Sequence, residues 1–513
     1  MQNHYNLTVL ILAAGYGRRM GEFSRLVNKS LVPYGNKPLL SHIFDKFSIG
    51  TKFIIACGHL GEQIKEYVSL VHSGKDITFV DIPNFNEVNT GPFTTIKHCA
   101  PYISKQCIVI TCDTLFDFDF SNKLTHDWIA VAPSDASTSG DYCWVKRNGE
   151  DVIEIINKIK SDVAVDAFIG LAFINDIFKY ISIADQNGGL EIISGFDNTL
   201  KAHTVTTWFD FGTYDKWKLL DDKTFELSLV KPNELFYVDN NRVVKFTVDK
   251  LAAKMRYDRA NLNLQCMPTN LQHSGNFLAY DYVQGNTFYH YLTADTFALF
   301  LNWVTDVLWI QSTDTTDLQT IADCFYRGKT FSRLAKFREK HPQWVEANVV
   351  NGVTVKLIDE YLASIDFEYL AHTVDWKFIH GDMQFDNILF NYDQKKFTAI
   401  DWRPEFGGSQ YGDIYYDLAK MLAGLYLNFK DIKANLLTLH ESDGRITISD
   451  IAVSGLSEYE SILRNWVIAH GFEWRKVKLL VPIIFVNMSP LHESPMDKYL
   501  ISMAQIMFAA LEN

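Results

Sequence analysis

Two stretches of the chain carry side chains that could act together. Residues 378–390 read FIHGDMQFDNILF and residues 397–402 read FTAIDW. Asp382 opens a loop, Asn387 follows five positions later, and Asp401 comes next between apolar residues. A carboxylate in the first place can orient a hydroxyl group and take its proton. An amide oxygen and a second carboxylate in the other two are hard ligands for a magnesium ion that bridges phosphates. The chemistry implied is phosphoryl transfer from ATP to an alcohol. A plain hairpin with a polar turn would not require Asp, Asn and Asp at these spacings, nor the acidic residues Asp413 and Asp417 that follow.

A second group lies near the N-terminus. The apolar run 8–14, TVLILAA, leads straight into Gly15, Gly17, Arg18 and Arg19. Small residues there let backbone N–H groups approach a phosphate chain, and the arginines add positive charge. Three readings of this turn compete. A dinucleotide-binding turn would want a third glycine, where Met20 stands, and an acidic residue ~20 positions on; the first aspartate beyond it is Asp45. A Walker loop would want G-K-[ST] after its spacer, which is absent. A nucleotidyltransferase turn is the third reading, and residues 28–40, NKSLVPYGNKPLL, favour it.

The elements that must position these groups follow from the hydrophobic pattern. Runs 8–14, 52–57 and 107–111 are uninterrupted and apolar, as strands covered on both faces are. Helical stretches separate them, which predicts a mostly parallel, doubly wound sheet. Asp113 stands just past the carboxyl end of one such strand, where ligands bind. Residues 152–159 and 168–174 are expected to be strands paired with each other, and His59 to be structural. From residue 234 the pattern changes to short strands. ELFYV and RVVKF flank Asp239, Asn240 and Asn241, a hairpin signal. Lys245 would then point from the second strand toward α- and β-phosphates. The aromatic-rich segments beyond residue 284 read as helical core. Residues 479–486 are apolar but short and include Pro482, so a buried helix or strand is expected rather than a membrane span.

With A-A-G-x-G-x-R, K-x-L-x-P and K-P-L in place, the N-terminal part resembles the sugar-phosphate nucleotidyltransferase family and its branch acting on alcohol phosphates such as phosphocholine. The resemblance implies a Rossmann-like α/β domain over residues 1–225. It places Gly15, Gly17, Arg19 and Lys29 around a triphosphate, with Arg19 and Lys29 stabilising charge as the α-phosphate is attacked. It assigns Thr90 and Gly91, in the turn-rich segment 84–95, to the base site. Asp113 and Asp210, the latter within WFDFGT, would share a magnesium ion. Lys158 would hold a phosphate, although Asn157-Lys158-Ile159 stands where the family has Glu-Lys-Pro.

H-G-D-x-x-x-x-N, I-D-W and G-D-x-x-x-D-L-A make the C-terminal part resemble the aminoglycoside phosphotransferase and choline kinase superfamily. This implies an α+β, protein-kinase-like domain over 230–513, with a small lobe at 230–283 and a large lobe at 284–513. Asp382 would be the catalytic base, Asn387 and Asp401 metal ligands, and His380 a support for the loop. Asp413 and Asp417 would be structural or substrate-facing. The segment 277–285 resembles the connector whose backbone holds adenine. The glutamate that pairs with a lysine such as Lys245 is missing from 250–262, where Asp258 is the nearest stand-in. Choline kinases follow the metal aspartate with an acidic-aromatic pair; here Arg403 stands instead, which suits a neutral polyol or sugar better than a cation.

The totals bound the rest. The 513 residues suit two or three domains. With 48 basic and 61 acidic residues, the net charge of −13 argues against nucleic acid as a partner. Seven scattered cysteines without C-x-x-C spacing fit reduced thiols in the cytoplasm. The N-terminal apolar run has no basic flank and reads as a strand, not a signal peptide. Together these features predict two consecutive steps. ATP phosphorylates a small alcohol or sugar, and a second nucleotide, CTP favoured, activates the phosphate for surface polysaccharide. Choline or ethanolamine as acceptor, unrelated substrates for the two domains, or one domain serving as an inactive regulatory module are the alternatives. Self-association is left open.

Overall fold

The structure, a computed structural model, describes residues 7–87, 89–121, 123–221, 233–313, 317–372 and 376–512. The expected domain boundary, between 225 and 230, lies outside the described residues. The chain forms two compact units. One comprises Met1–Ala253 and Gln272–Tyr280; the other comprises Lys254–Leu271 and Asp281–Asn513.

The first unit is built on a nine-stranded sheet. Strands Asp76–Asp81, Lys52–Cys57, Thr8–Ala13 and Cys107–Thr111 lie side by side and run parallel. Their apolar residues alternate between two cores. Val9, Ile11, Phe53 and Ile55 face one, while Leu10, Ile54 and Ala56 face the other. Burial on both faces is why these runs carry no polar alternation. Beyond Cys107–Thr111 the sheet becomes mixed, because Val165–Ile174 runs antiparallel to it. Strands Asp151–Asn157 and Val165–Ile174 do not pair with each other as expected. Each pairs instead with Cys143–Asn148, an intervening strand that the sequence reading did not assign.

A second, four-stranded sheet belongs to the same unit, in the order Glu234–Asp239, Arg242–Thr247, Phe277–Asp281, Gln272–Ser274. Asn240 and Asn241 both take positive φ, 48° and 59°, as a two-residue hairpin of this twist requires. Leu235, Tyr237, Val244, Phe246 and Phe277 join the core that holds Val9 and Ile11. Polar ties reinforce the junction. Tyr237 Oη donates to the Leu31 carbonyl at 2.8 Å, and Val238 N donates to the Asn36 carbonyl at 2.7 Å. The buried Asp239 accepts from Tyr67 Oη at 2.9 Å and lies 3.0 Å from Lys37 Nζ and 3.2 Å from His72 Nε2. The segment expected as a small lobe is thus divided. Its strands up to Tyr280 belong to the first unit, and Lys254–Leu271 to the second.

The second unit is mainly helical. Ile414–Tyr426, Trp474–Met488 and Met496–Glu512 pack together, and residues 414 to 425 of the first are all buried. Pro482 sits inside the second of these helices. Strands Ile388–Asn391 and Lys396–Ala399 form a hairpin. No helix among the described residues is long and apolar enough to cross a membrane. All seven cysteines are free, and Cys324 alone of the seven is exposed.

Candidate active sites

In the first unit, strand pairing brings the two expected metal ligands to one place. Thr207–Asp210 runs antiparallel to Thr114–Asp117, with Asp210 opposite Thr114, the neighbour of Asp113. Phe211 N donates to the Asp113 carbonyl at 2.9 Å. Each carboxylate is held by a lysine. Lys29 Nζ lies 2.6 Å from Asp113 Oδ2 and 3.1 Å from the Gly212 carbonyl. Lys216 Nζ lies 2.6 Å from Asp210 Oδ2, and Tyr142 Oη donates to the same oxygen at 2.7 Å. Burial alone would raise the Asp113 carboxyl. Lys29, Thr111 and Arg19 outweigh it and hold the group below its ordinary value. Loss of water on burial and the Asp210 carboxylate push the Tyr142 phenol up to about 12, against the opposing pull of Lys216. Lys216 and Tyr142 were not anticipated. Lys216 follows WFDFGT by three residues, so its position was a readable signal; Tyr142 arrives through the fold and was not.

Gly17 is left-handed at φ 68° and lies against the Lys29 side chain. Arg19 reaches to within 3.5 Å of where a Gly212 Cβ would stand, so Gly15–Arg19, Lys29, Asp113 and Asp210 share one end of the sheet. Thr90 spends its hydroxyl on the Glu87 carbonyl at 2.8 Å. Gly91 sits where a Cβ would meet the Leu190 carbonyl at 2.6 Å, so close packing within the unit already explains this glycine. Lys158 is half-exposed, at φ 54°, and pairs with Glu191 at 2.7 Å. Lys245, on the small sheet, is buried and pairs with Glu234 Oε2 at 2.9 Å. Glu234 therefore supplies a counter-charge that the sequence reading sought in the following helix.

In the second unit, the loop 380–387 is fastened from below by Asp417. Its carboxylate accepts from Gly381 N at 2.7 Å, His380 N at 2.8 Å and Trp309 Nε1 at 3.1 Å. Burial raises the Asp417 carboxyl despite these donors. His380 is fully buried and burial disfavours its charged form. Neutral, it can donate through Nε2 to the Ile400 carbonyl at 2.9 Å while Nδ1 accepts from Asp382 N at 3.2 Å. Gly381 takes φ 80°, and a Cβ there would fall 2.7 Å from Arg403 Cδ, so only glycine fits.

Asn387 Nδ2 donates to the Asp382 carbonyl at 2.9 Å, and Ile400 N donates to the Asn387 carbonyl at 2.9 Å. Asn387 and Asp401 therefore sit at the same end of the hairpin. Asp401 is left-handed at φ 54°, a strained backbone of the kind kept at functional sites. Lys420 Nζ, nearly buried, lies 2.7 Å from Asp382 Oδ1. Asp413 is committed to structure, accepting from Tyr326 Oη at 2.8 Å and Tyr415 N at 3.0 Å. The fully buried Arg259 holds the carbonyls of Ile379, Arg403 and Gln410, which ties the segment before Asp382 to the one after Asp401.

Both donor sets suit a hard divalent ion. Asp113 with Asp210, and Asn387 with Asp401, offer only oxygen. Among the described residues no cluster of three or more His, Cys, Asp or Glu side chains gathers as a ready metal cage.

Comparisons with known proteins match two separate stretches of the chain. Residues 9–163 match the MobA-like NTP transferase domain, and residues 262–438 match the phosphotransferase enzyme family. The chain is 40% identical over 87 residues to glucose-1-phosphate cytidylyltransferase of Salmonella typhimurium, covering 16% of this chain and 34% of that protein. It is 27% identical over 150 residues to D-glycero-alpha-D-manno-heptose 1-phosphate guanylyltransferase of Campylobacter jejuni, covering 29% and 66%. The chain thus spans about a third of the length of the first of these relatives. A solved UDP-glucose pyrophosphorylase complexed with UDP-glucose aligns at 15% identity and TM-score 0.36, covering 43% of this chain and 98% of that one. The chain carries a Rossmann-like nucleotidyltransferase domain followed by a kinase-like phosphotransferase domain, and enzymes of both families generally use a divalent metal.

Proposed function

We propose that this chain, a nucleotidyltransferase domain joined to a phosphotransferase domain, performs two consecutive transfers in the cytoplasm. ATP phosphorylates a small hydroxyl compound. The new phosphate then attacks the α-phosphorus of a second nucleotide, giving an NDP-linked precursor of surface polysaccharide and releasing pyrophosphate. CTP is favoured, since alcohol phosphates are usually activated as CDP derivatives and one matched relative is named a cytidylyltransferase. The single observation that carries the reading is the presence of two oxygen-ligand sites, one in each compact unit, each with its own basic side chain on a carboxylate.

In the first transfer, Asp382 takes the proton of the acceptor hydroxyl. The acceptor oxygen bonds to the γ-phosphorus as the bond to the bridging oxygen breaks, and ADP leaves. Lys420 pairs with Asp382 and aims it, and Asn387 braces the loop through the Asp382 carbonyl. Asn387 and Asp401 would hold magnesium, which neutralises the phosphate oxygens when bound. In the second transfer Arg19 and Lys29 face the triphosphate. Asp113 and Asp210 would hold the metal there, with Lys29 and Lys216 moving from the carboxylates toward phosphate.

Incubation with ATP, CTP, magnesium and a panel of alcohols, followed by product masses, tests this. ATP alone should give a phosphomonoester, and both nucleotides a CDP-linked product. Asp382→Ala should abolish phosphorylation and spare nucleotidyl transfer to a supplied phosphate; Asp113→Ala should do the reverse. Loss of both activities from either change would sink the scheme of independent sites.

A further inference from the structure

Around Asp382 the second unit collects more positive charge than one base needs. Lys420 pairs with it directly at 2.7 Å. Arg403 lies along Gly381, the preceding residue, and sends its guanidinium to 5.2 Å from the Phe325 ring centre. Lys329 Nζ stands 3.9 Å over that same ring and 5.8 Å from the ring of Tyr416, one helical turn before Lys420. Phe406 stacks on Phe325 at 3.9 Å, so Lys329 holds the other face. Arg333 follows Lys329 by one turn of helix Lys329–Lys340. Among the described residues, no carboxylate lies within ion-pair distance of Lys329, Arg333 or Arg403. The floor is aromatic, which supplies cation–π attraction but no formal negative charge.

Resting on the kinase reading above, we infer that the acceptor is itself an anion: a small hydroxyl compound bearing a carboxylate or phosphate, seated on Lys329, Arg333 and Arg403 beside Asp382. This group borders the acceptor side because Arg403 lies along Gly381, next to the base, and shares the Phe325 ring with Lys329, whereas the expected phosphate-side ligands Asn387 and Asp401 lie at the hairpin end. Unrelieved crowding supports the same placement. Loss of water, then Arg403, Arg333 and Lys420, push the Lys329 ammonium down to about 6 against the pull of Asp382. A bound anion would relieve that repulsion. This revises the sequence expectation of a neutral polyol or sugar, which weighed Arg403 alone.

The test uses the full chain with ATP and four matched acceptors: glycerol, ethanolamine, glycerate and glycerol phosphate. One of the two anions should exceed glycerol in kcat/KM by roughly 100-fold or more, and which one identifies the group held. Lys329→Ala and Arg333→Ala should each raise the KM for that anion by roughly 10- to 100-fold, with KM for ATP and the nucleotidyl half-reaction unchanged, and Arg333→Lys should recover part of the loss. Preference for glycerol or ethanolamine, or a shift in the ATP KM instead, overturns the inference and returns the cluster to the nucleotide. If no acceptor consumes ATP, the kinase reading fails by itself. Calorimetry with glycerate and glycerol phosphate then decides the pocket: binding lost in both alanine variants upholds it, and no binding of either anion sinks it.

Discussion

The two sites balance charge in opposite ways. In the first unit each carboxylate has one lysine, Asp113 with Lys29 and Asp210 with Lys216. In the second, Asp382 has Lys420, and Lys329, Arg333 and Arg403 add three more basic side chains. The paired site is closed on itself, so a ligand that enters must take over bonds already made. The crowded site has bonds to offer. An ion pair that is broken on binding costs affinity and gives selectivity for the ligand that can replace it. A site left with surplus charge draws its ligand in and rejects partners of the same sign.

Breaking the first balance should have the largest effect. Lys29→Ala should lower nucleotidyl transfer by about 10²- to 10³-fold, or ~3–4 kcal/mol, with phosphorylation intact. A loss under ten-fold would make Lys29 a structural pin, and the contrast with Lys420 would dissolve. Asp417→Asn should come next. It turns one of two buried acceptor oxygens into an N–H donor facing other donors, and should cost about 2–3 kcal/mol of stability, read by denaturant unfolding, together with phosphorylation but not nucleotidyl transfer. Equal loss of both activities would show that the units do not fail separately.

The smallest effect belongs to Asp239. Burial would raise its carboxyl, but His72, Ser41 and Lys37 hold it far below the ordinary 3.8. Its stabilising share is therefore present above about pH 4 and fades as the solution becomes more acidic. Asp239→Asn should cost about 1–2 kcal/mol at pH 7, and the gap from the unaltered chain should narrow toward pH 3. A gap constant across that range would show that the ion pairs there contribute nothing net.

Much of this was legible in the sequence. The apolar runs gave the parallel strands because burial on both faces leaves no other pattern, and the loop 380–387 keeps its spacing because His380, Gly381, Asp382, Gln384 and Asn387 are each fixed by hydrogen bonds. What was not legible arrives from other elements. Lys329, Arg333 and Tyr142 reach their sites only through tertiary packing. Lys420 could have been suspected. It is a charge in the apolar run IYYDLAKMLAGLY, and a lysine that deep must find a carboxylate. Glu234 was missed because the partner of Lys245 was sought after it in sequence rather than on the strand before. The strand Cys143–Asn148 was missed because CWVKRN ends in charged, partly exposed residues rather than a clean apolar run.

The small sheet that carries Lys245 shares its oily interior with the strands around Val9. A gene cut near residue 230 would therefore not yield two portable modules. The downstream piece would begin with Tyr237, Phe246 and Phe277 stripped of the wall they lean on, and the upstream piece would expose that wall. Parting the two units would mean keeping residues 234–253 and 272–280 with the N-terminal part while Lys254–Leu271 stays with the C-terminal one, which no single cut achieves.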